Sequence, residues 1–284
     1  MATPTVQSTS VSHSMFTGSS NITIEGGNFI QQTNIGIDRD AREAINKAFK
    51  KYVYLDITHD NDDLKHFGIS QSTSVSILQK LTHWALHSMG FPNVTWLHGV
   101  SAAEKTAISV SFAEMLAKED RLAASFFFPR ADTRNLKKSF IPSIAYQICF
   151  AIPELAQHIL EAAEKDPVIF GKSLETQMRE LIIQPVLSSG LAAAGRWIVV
   201  IDGLDTFVTP GDDFAKRVST IMSDLVPQLE GRLRFCISGW QTSGISREFA
   251  PCTAVKPLEI YSPDYWATCT VYIAFFFEYK EHRL

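Results

Sequence analysis

The sequence predicts an α/β fold with a doubly wound, mainly parallel sheet that is flanked by helices. Short apolar runs of strand length alternate along the chain with longer stretches of helical period, which is the pattern of this fold class. Three of the runs are apolar almost throughout, as expected for parallel strands that are covered on both faces. These runs are residues 122–128, 197–201 and 233–237. The motifs described below fall at the ends of such runs, where sheets of this class bind ligands.

Length and composition indicate a globular chain that is not expected to bind nucleic acid or an anionic membrane. The chain has 284 residues, of which 45% are hydrophobic, so it can form one α/β domain with extensions. A net charge of −4 gives no basic field for nucleic acid or an anionic membrane, and neither is predicted as a partner. The four cysteines form no C-x-x-C pair, and no signal peptide or membrane-spanning run is evident. We therefore expect a cytoplasmic protein with free thiols.

The N-terminal part is predicted to contain a tail, a strand-forming leader and a helical linker region. Residues 1–20 are rich in Ser and Thr and are expected to be a disordered tail. Residues 21–37 favour a small hairpin or an added edge strand, with pairing between copies as the alternative. Residues 38–90 form the linker region, whose acidic stretch HDNDDLKHFG is interpreted as a solvated loop rather than as a metal site. Its predicted helices are residues 38–52 and 72–87.

The main domain is predicted to span residues 91–250, followed by a truncated, helical C-terminal extension at residues 251–284. The extension has no repeats of about 30–45 residues. Its aromatic helix carries apolar side chains at helical spacing, which form an exposed patch if nothing in the chain covers them: Ile273, Phe276 and Phe277. The helices predicted within the domain, besides the one that follows the first strand, are residues 140–150, 153–163, 174–187 and 213–229.

Residues 93–115 carry the pattern of a phosphate-binding loop between a strand and a helix. In the pattern G-x-x-x-x-G-K-S/T, backbone N–H groups surround the phosphates, the lysine neutralises charge, and the hydroxyl holds Mg²⁺. Here a short apolar run leads into the loop, and a helical pattern follows it. The fold class is therefore predicted to be P-loop NTPase-like. The expected nucleotide-binding residues are Gly99, Val100, Ser101, Ala102, Ala103, Glu104, Lys105 and Thr106.

A second motif, the acid that ends the run IVVID, strengthens the first. In P-loop proteins such an aspartate, expected on the neighbouring strand, orders the Mg²⁺ shell opposite the loop hydroxyl. Thr106 and Asp202 are therefore the predicted metal ligands. The predicted cofactors are Mg²⁺ and ATP or GTP if the site is functional, and otherwise none. A core strand that merely ends in a turn acid is the alternative for this stretch.

These motifs, with the stretches between them, resemble the NACHT domain of mushroom-type fungal NOD-like receptors, which are STAND-class P-loop NTPases. The resemblance covers about residues 72–249 and rests on WLHGVSAAEKTAIS, LAASFFFPR, FIPSIAYQICFAIPELAQHI, DPVIFGKSLETQMRELIIQPV, VVIDGLD and LRFCISG. The segment NITIEGGNF also resembles N-terminal leaders of these proteins. The resemblance implies a switch between closed and open states that couples an N-terminal effector to C-terminal repeats. It further implies that Gly203 and Asp205 match the small residue and second acid of the Walker B motif, which makes Asp205 the candidate catalytic residue.

Three positions depart from the family pattern, and each bears on phosphate chemistry. Glu104 replaces the loop glycine, Thr206 stands where the family usually has a glutamate, and Trp240 stands where the sensor strand normally ends in Ser-Arg. A carboxylate about 4 Å from a phosphate charge costs about 4 kcal/mol at an effective dielectric of 20, which is about a thousandfold in affinity. We therefore expect a weakened or inactive site.

The leading expectation is a NACHT-like nucleotide-binding signalling switch with weakened or lost hydrolysis. One alternative is a pseudo-NTPase scaffold or interaction module that acts by assembly without nucleotide. Another is a competent ATPase, in which Lys105, Thr106, Asp202 and Asp205 suffice. The expected partners are further copies of the chain or a signalling protein, bound through the leader or the C-terminal aromatic helix.

Overall fold

The computed structural model describes residues 37–64, 72–86, 93–99, 102–129, 136–192, 196–204, 213–239 and 255–260. These residues build an α/β fold around a five-stranded sheet, ordered β2-β3-β4-β1-β5. All four neighbouring pairs are parallel, which confirms the predicted fold class. The strands are β1 Val94–Gly99, β2 Leu122–Phe127, β3 Trp197–Asp202, β4 Leu233–Ser238 and β5 Val255–Ile260.

Helices flank this sheet. Short 3-10 turns occur at Asp62–Leu64, Ile169–Gly171 and Val226–Leu229, and a π-helical turn at Arg179–Ile183 joins α6 to α7. The predicted helices of the linker region and of the main domain all have a counterpart among these elements. The helices are α1 Arg39–Phe49, α2 Ser72–Leu86, α3 Ala102–Lys118, α4 Leu136–Ala151, α5 Pro153–Lys165, α6 Leu174–Met178, α7 Gln184–Ser188 and α8 Phe214–Asp224.

The core lies on both sides of the sheet because successive strand residues point to opposite faces. Trp96 and Phe235 belong to the larger apolar cluster, which also contains side chains of α1, α4, α5 and α8. Leu97 and Cys236, the next residues along the same strands, belong to a second cluster with α2 and α3. The sheet is therefore buried on both faces, as its apolar strands predicted.

Strand β5 corrects one prediction, because residues 255–260 lie in the stretch that was expected to be helical. The strand pairs with β1 along its whole length, with Pro257 opposite Trp96. A proline lacks the N–H that a central strand needs, so strands that contain one are found at sheet edges. β5 is an edge strand of this sheet, which accounts for both the proline and the failure to predict the strand.

Helix α3 begins at Ala102, three residues before Lys105. The sequence had placed Lys105 and Thr106 at the end of a loop that precedes the helix. Instead, both residues already lie in the first two turns of α3. The apolar residues of this helix explain its position, since Ile108, Val110 and Phe112 are buried against the sheet and α2.

Several predictions fall on residues outside the described part of the chain. They are the tail at residues 1–20, the leader up to residue 36, and everything after residue 260, including Ile273, Phe276 and Phe277. Every helix in the described ranges is too short or too polar to cross a lipid bilayer.

Candidate functional site

Three polar side chains meet at the carboxyl edge of the sheet. The hydroxyl of Thr106, in α3, donates to the carboxylate of Asp202, with Oγ1 2.8 Å from Oδ2. The hydroxyl of Ser238, at the end of β4, donates to the other oxygen of the same carboxylate, Oδ1. Asp202 is 5% exposed, and its charge is therefore held largely away from bulk water. Both carboxylate oxygens are thus fixed by hydroxyl donors from two different elements.

The alternation of the strands places these groups on the α3 face of the sheet. Asp202 follows Val200 by two residues, and Ser238 follows Cys236 by two, and both of these apolar residues pack in the cluster that contains α3. The expectation that Asp202 lies on the strand next to β1 is wrong, because β4 separates β1 from β3. Ser238 occupies the end of that intervening strand, which is why it reaches Asp202.

Lys105 and His98 bring two nitrogen groups close to the same edge. The Lys105 side chain is 2% exposed. His98 lies in β1, directly before Gly99. Burial and, as the smaller effect, the positive charge of Lys105 together lower the pKa of His98 to about 4. His98 is therefore neutral at physiological pH, and its ring packs against that of Trp96 with the centroids 4.5 Å apart. Lys105 supplies the positive charge of this pair.

Glu104 lies in the first turn of α3, where the loop glycine of a phosphate-binding motif is expected. Its side chain is half-buried. A carboxylate in the first turn of a helix interacts favourably with the positive end of the helix dipole. The same positive end attracts phosphate in nucleotide-binding loops, so Glu104 and a bound phosphate compete for it.

The structure covers only part of the predicted site. Gly99 ends β1, Ala102, Ala103 and Glu104 open α3, and Lys105 and Thr106 follow within its first two turns. Val100, Ser101 and the candidate catalytic residue Asp205 lie outside the described residues, as do Thr206 and Trp240. The roles assigned to all of these residues stay predictions.

Gly203 adopts a backbone conformation that favours glycine. Its φ is +81°, in the left-handed region that side chains with a Cβ rarely adopt. This conformation turns the chain immediately after Asp202. A glycine at this position therefore fits the small residue expected after the Walker B aspartate.

Sequence reasoning missed two residues of this cluster, Ser238 and His98. Ser238 ends the stretch LRFCIS, and a polar residue at the end of a buried parallel strand is a sign of a site at that edge. His98 lies one residue beyond Leu97, the register partner of Ser238 in β1, and directly before Gly99. The order of the strands, which brings Ser238 to Asp202, has no signature in the sequence.

The fold and the cluster together define an α/β domain that is compatible with the P-loop NTPase-like architecture. The family model described as Nephrocystin 3, N-terminal matches residues 73–239, more than half of the chain, and the chain belongs to this family. The match runs from α2 to the residue after β4 and supports a NACHT-related, P-loop-like region. Comparison with curated proteins and with solved structures gave no match.

Proposed function

We propose that the chain is a NACHT-like nucleotide-binding signalling switch of the mushroom-type fungal STAND group, with weakened or lost hydrolysis. The observation that carries this proposal is the hydrogen bond between Thr106 and Asp202, next to the buried Lys105. A hydroxyl and a carboxylate are hard oxygen ligands, which Mg²⁺ prefers, and a lysine suits the phosphates that accompany the ion. The family match supports the coarser part of the proposal, a NACHT-related region.

The residues present fit a magnesium–nucleotide complex in their chemistry. Thr106 and Asp202 would hold the ion, and Lys105 would bind the terminal phosphates of ATP or GTP. The bound ion would neutralise the charge of the phosphates. Ser238 keeps the carboxylate of Asp202 turned toward α3, and burial of the cluster strengthens each electrostatic contact there.

Weak hydrolysis follows from Glu104 and from the other departures of the sequence. The first turn of α3 already holds a negative charge, so a phosphate that approaches this turn is repelled. Asp205 remains the proposed catalytic residue, on the strength of the sequence alone. We place the protein in the cytoplasm, with a self-associating or signalling partner bound through the leader or the C-terminal aromatic helix, and both assignments also rest on the sequence.

One observation favours the pseudo-NTPase scaffold as a second candidate. Because α3 starts at Ala102, the backbone of Ala102, Ala103 and Glu104 is helical rather than open around a phosphate. A P-loop needs these residues as part of a concave nest of N–H groups. The scaffold hypothesis therefore predicts that the helix keeps this conformation when nucleotide is added.

Equilibrium binding of a fluorescent ATP analogue, with Mg²⁺ and with EDTA, tests the proposed function. We expect Mg²⁺-dependent binding with little phosphate release, and an Asp202→Asn variant whose affinity no longer responds to Mg²⁺. The matched control is Asp224→Asn, at the exposed end of α8, which should behave as the unmodified chain. Absence of binding under both conditions would support the scaffold, and rapid phosphate release would support a competent ATPase.

A further inference from the structure

Part of the segment that follows α1, residues 57–59, lies along the outer side of strand β2. Among the described residues, β2 is an edge strand, so its outward backbone groups have no strand partner there. The N–H of Phe127 donates instead to the carbonyl of Ile57, over 2.8 Å. The N–H of His59 donates to the hydroxyl oxygen of Ser125, over 3.0 Å. We call residues 57–59 the clasp, because they attach the linker region to this edge.

The side chain of His59 adds a second bond to the same hydroxyl. Its Nδ1 lies 3.1 Å from Oγ of Ser125, which is completely buried. A serine hydroxyl has one proton to donate, and a neutral imidazole with its proton on Nε2 can accept it at Nδ1. The side chain of Gln147, in α4, binds both backbone groups of Ser125. Its Oε1 accepts from the N–H of Ser125 over 2.9 Å, and its Nε2 donates to the carbonyl of Ser125 over 3.0 Å.

The clasp is one strand away from the carboxylate of the candidate site. Phe127 is the register partner of Asp202 in the β2–β3 pair. The next residue, Phe128, donates its N–H to the carbonyl of Asp202 over 2.9 Å. The backbone of Asp202 is therefore held by the same end of β2 to which the clasp is attached.

We infer that the clasp is a proton-sensitive brace, which holds β2 and the Asp202 end of β3 while His59 is neutral and releases them when His59 is protonated. A protonated imidazole carries a proton on Nδ1 and can no longer accept from Ser125. The hydroxyl would then receive two donors, and its own buried proton would lose the acceptor that the neutral Nε2–H tautomer of His59 provides. Losing that bond favours the open clasp.

The charges around His59 determine the direction of the switch. Burial lowers the pKa of His59, whereas the carboxylates of Asp60, in the same segment, and Glu114, in α3, raise it, and burial is the largest effect. The side chains that β2 and α4 contribute here, Ser125 and Gln147, carry no charge. Because the closed clasp binds a proton less readily than the open chain, it is stable above the ordinary histidine pKa of about 6.5. It opens as the pH falls toward the lowered value.

Amide hydrogen exchange of the full chain between about pH 5 and pH 8 tests this inference without nucleotide. Protection factors are compared because they remove the intrinsic pH dependence of exchange. In the unmodified chain, we expect residues 53–61 and 122–128 to lose about fivefold in protection at the acid end, the effect of one hydrogen bond. Protection of residues 197–202 should fall with them.

Three variants make the test specific to His59. His59→Gln should give the same protection at both ends of the pH range, and the matched control His158→Gln, in α5, should keep the profile of the unmodified chain. Ser125→Ala should show low protection at every pH, and if it does not fold, the His59→Gln comparison decides alone. A flat profile in the unmodified chain, or an unchanged pH response in His59→Gln, would overturn the inference. Constant protection of residues 197–202 while the clasp opens would overturn its extension to Asp202.

Discussion

The hydroxyl of Thr106 and the carboxylate of Asp202 are 2.8 Å apart, although a whole strand, β4, separates the strands that lead to them. Thr106 reaches across because α3 packs over the face of the sheet to which Asp202 points. The two groups are thus close enough to share one ligand. A structure with the loop lysine and the strand acid on opposite sides would have ruled out a nucleotide site.

The Thr106 hydroxyl is expected to carry the response to Mg²⁺. Thr106→Val keeps the shape of the side chain but removes the oxygen, so the gain in nucleotide affinity on adding Mg²⁺ should fall by at least about tenfold. Thr106→Ser retains the oxygen and is the matched control. The measurement is the ratio of dissociation constants with Mg²⁺ and with EDTA. An undiminished ratio in Thr106→Val would mean that this hydroxyl is not a metal ligand.

The ion pair between Glu175 in α6 and Arg217 in α8 is expected to give a small, pH-dependent stabilisation. Two hydrogen bonds of 2.8 and 2.7 Å join them, and the bond with Arg217 lowers the pKa of Glu175 to about 2. The side chains are 36% and 34% exposed, so solvent screening limits the contribution to about 1 kcal/mol or less. It is fully present above the ordinary glutamate pKa of about 4.3 and is lost as the pH falls toward 2.

Urea denaturation of Glu175→Gln at pH 7 and near pH 3 measures this contribution. The variant should be less stable than the unmodified chain at pH 7, and the difference should shrink at the lower pH. Glu180→Gln, at an exposed position in the π-helical turn, is the control and should change little. A difference that grows on acidification would contradict the assigned direction.

Phe140 in α4 is expected to be among the residues on which stability depends most. It is fully buried, and its ring lies 5.1 Å from that of Phe126, 5.6 Å from that of Phe128 and 5.7 Å from that of Phe214. Phe140→Ala should lower the free energy of unfolding by about 3–5 kcal/mol, through lost burial and the cavity left behind. Val168→Ala, at a side chain that is 67% exposed, should stay within about 0.5 kcal/mol. Equal effects of the two substitutions in urea denaturation would refute this account of the core.

Cys149 and Cys236 are expected to be inert while the chain is folded. Both are buried free thiols, and burial raises the pKa of Cys149 to about 12 and also raises that of Cys236. Since the thiolate is the reactive form, labelling should be slow without denaturant and complete with it. A chain with Cys252→Ser and Cys269→Ser leaves only these two thiols to follow. Rapid labelling of either thiol in the native chain would show that its environment is open.

Much of the fold could be predicted because three of its strands are apolar almost throughout. Runs such as IVVI have no polar face to expose to water, so they identify buried parallel strands, and β2, β3 and β4 were predicted in this way. β1 was predicted from the short apolar run that leads into the loop. β5 was not predicted, because its sequence VKPLEI contains a proline and two charged residues and therefore lacks a continuous apolar run. The strand order could not be predicted either, since it depends on which elements pack together rather than on local pattern.

The candidate site was predictable residue by residue but not in its geometry. Lys105, Thr106 and Asp202 stand in recognisable motifs, and a contact between the last two is found. Ser238 was overlooked because its role arises only when β4 lies between β1 and β3. The early start of α3 was also missed, because nothing between Gly99 and Lys105 marks the first helical residue. The attachment of His59 to Ser125 joins residues that are 66 positions apart, and no local pattern reveals it.

We propose that a phosphate site persists here and that the charge of Glu104 weakens it. Glu104→Gln distinguishes the effect of the negative charge from that of the side chain's volume. It removes the charge but leaves a side chain of similar size, so the backbone gains no space to wrap a phosphate. It should therefore recover part of the affinity that Glu104→Gly recovers.

The most direct test is the dissociation constant of a fluorescent ATP analogue, measured with Mg²⁺ for the unmodified chain and for Glu104→Gly. The account predicts tighter binding by the glycine variant, by up to about a thousandfold. Equal dissociation constants for the two chains would contradict it.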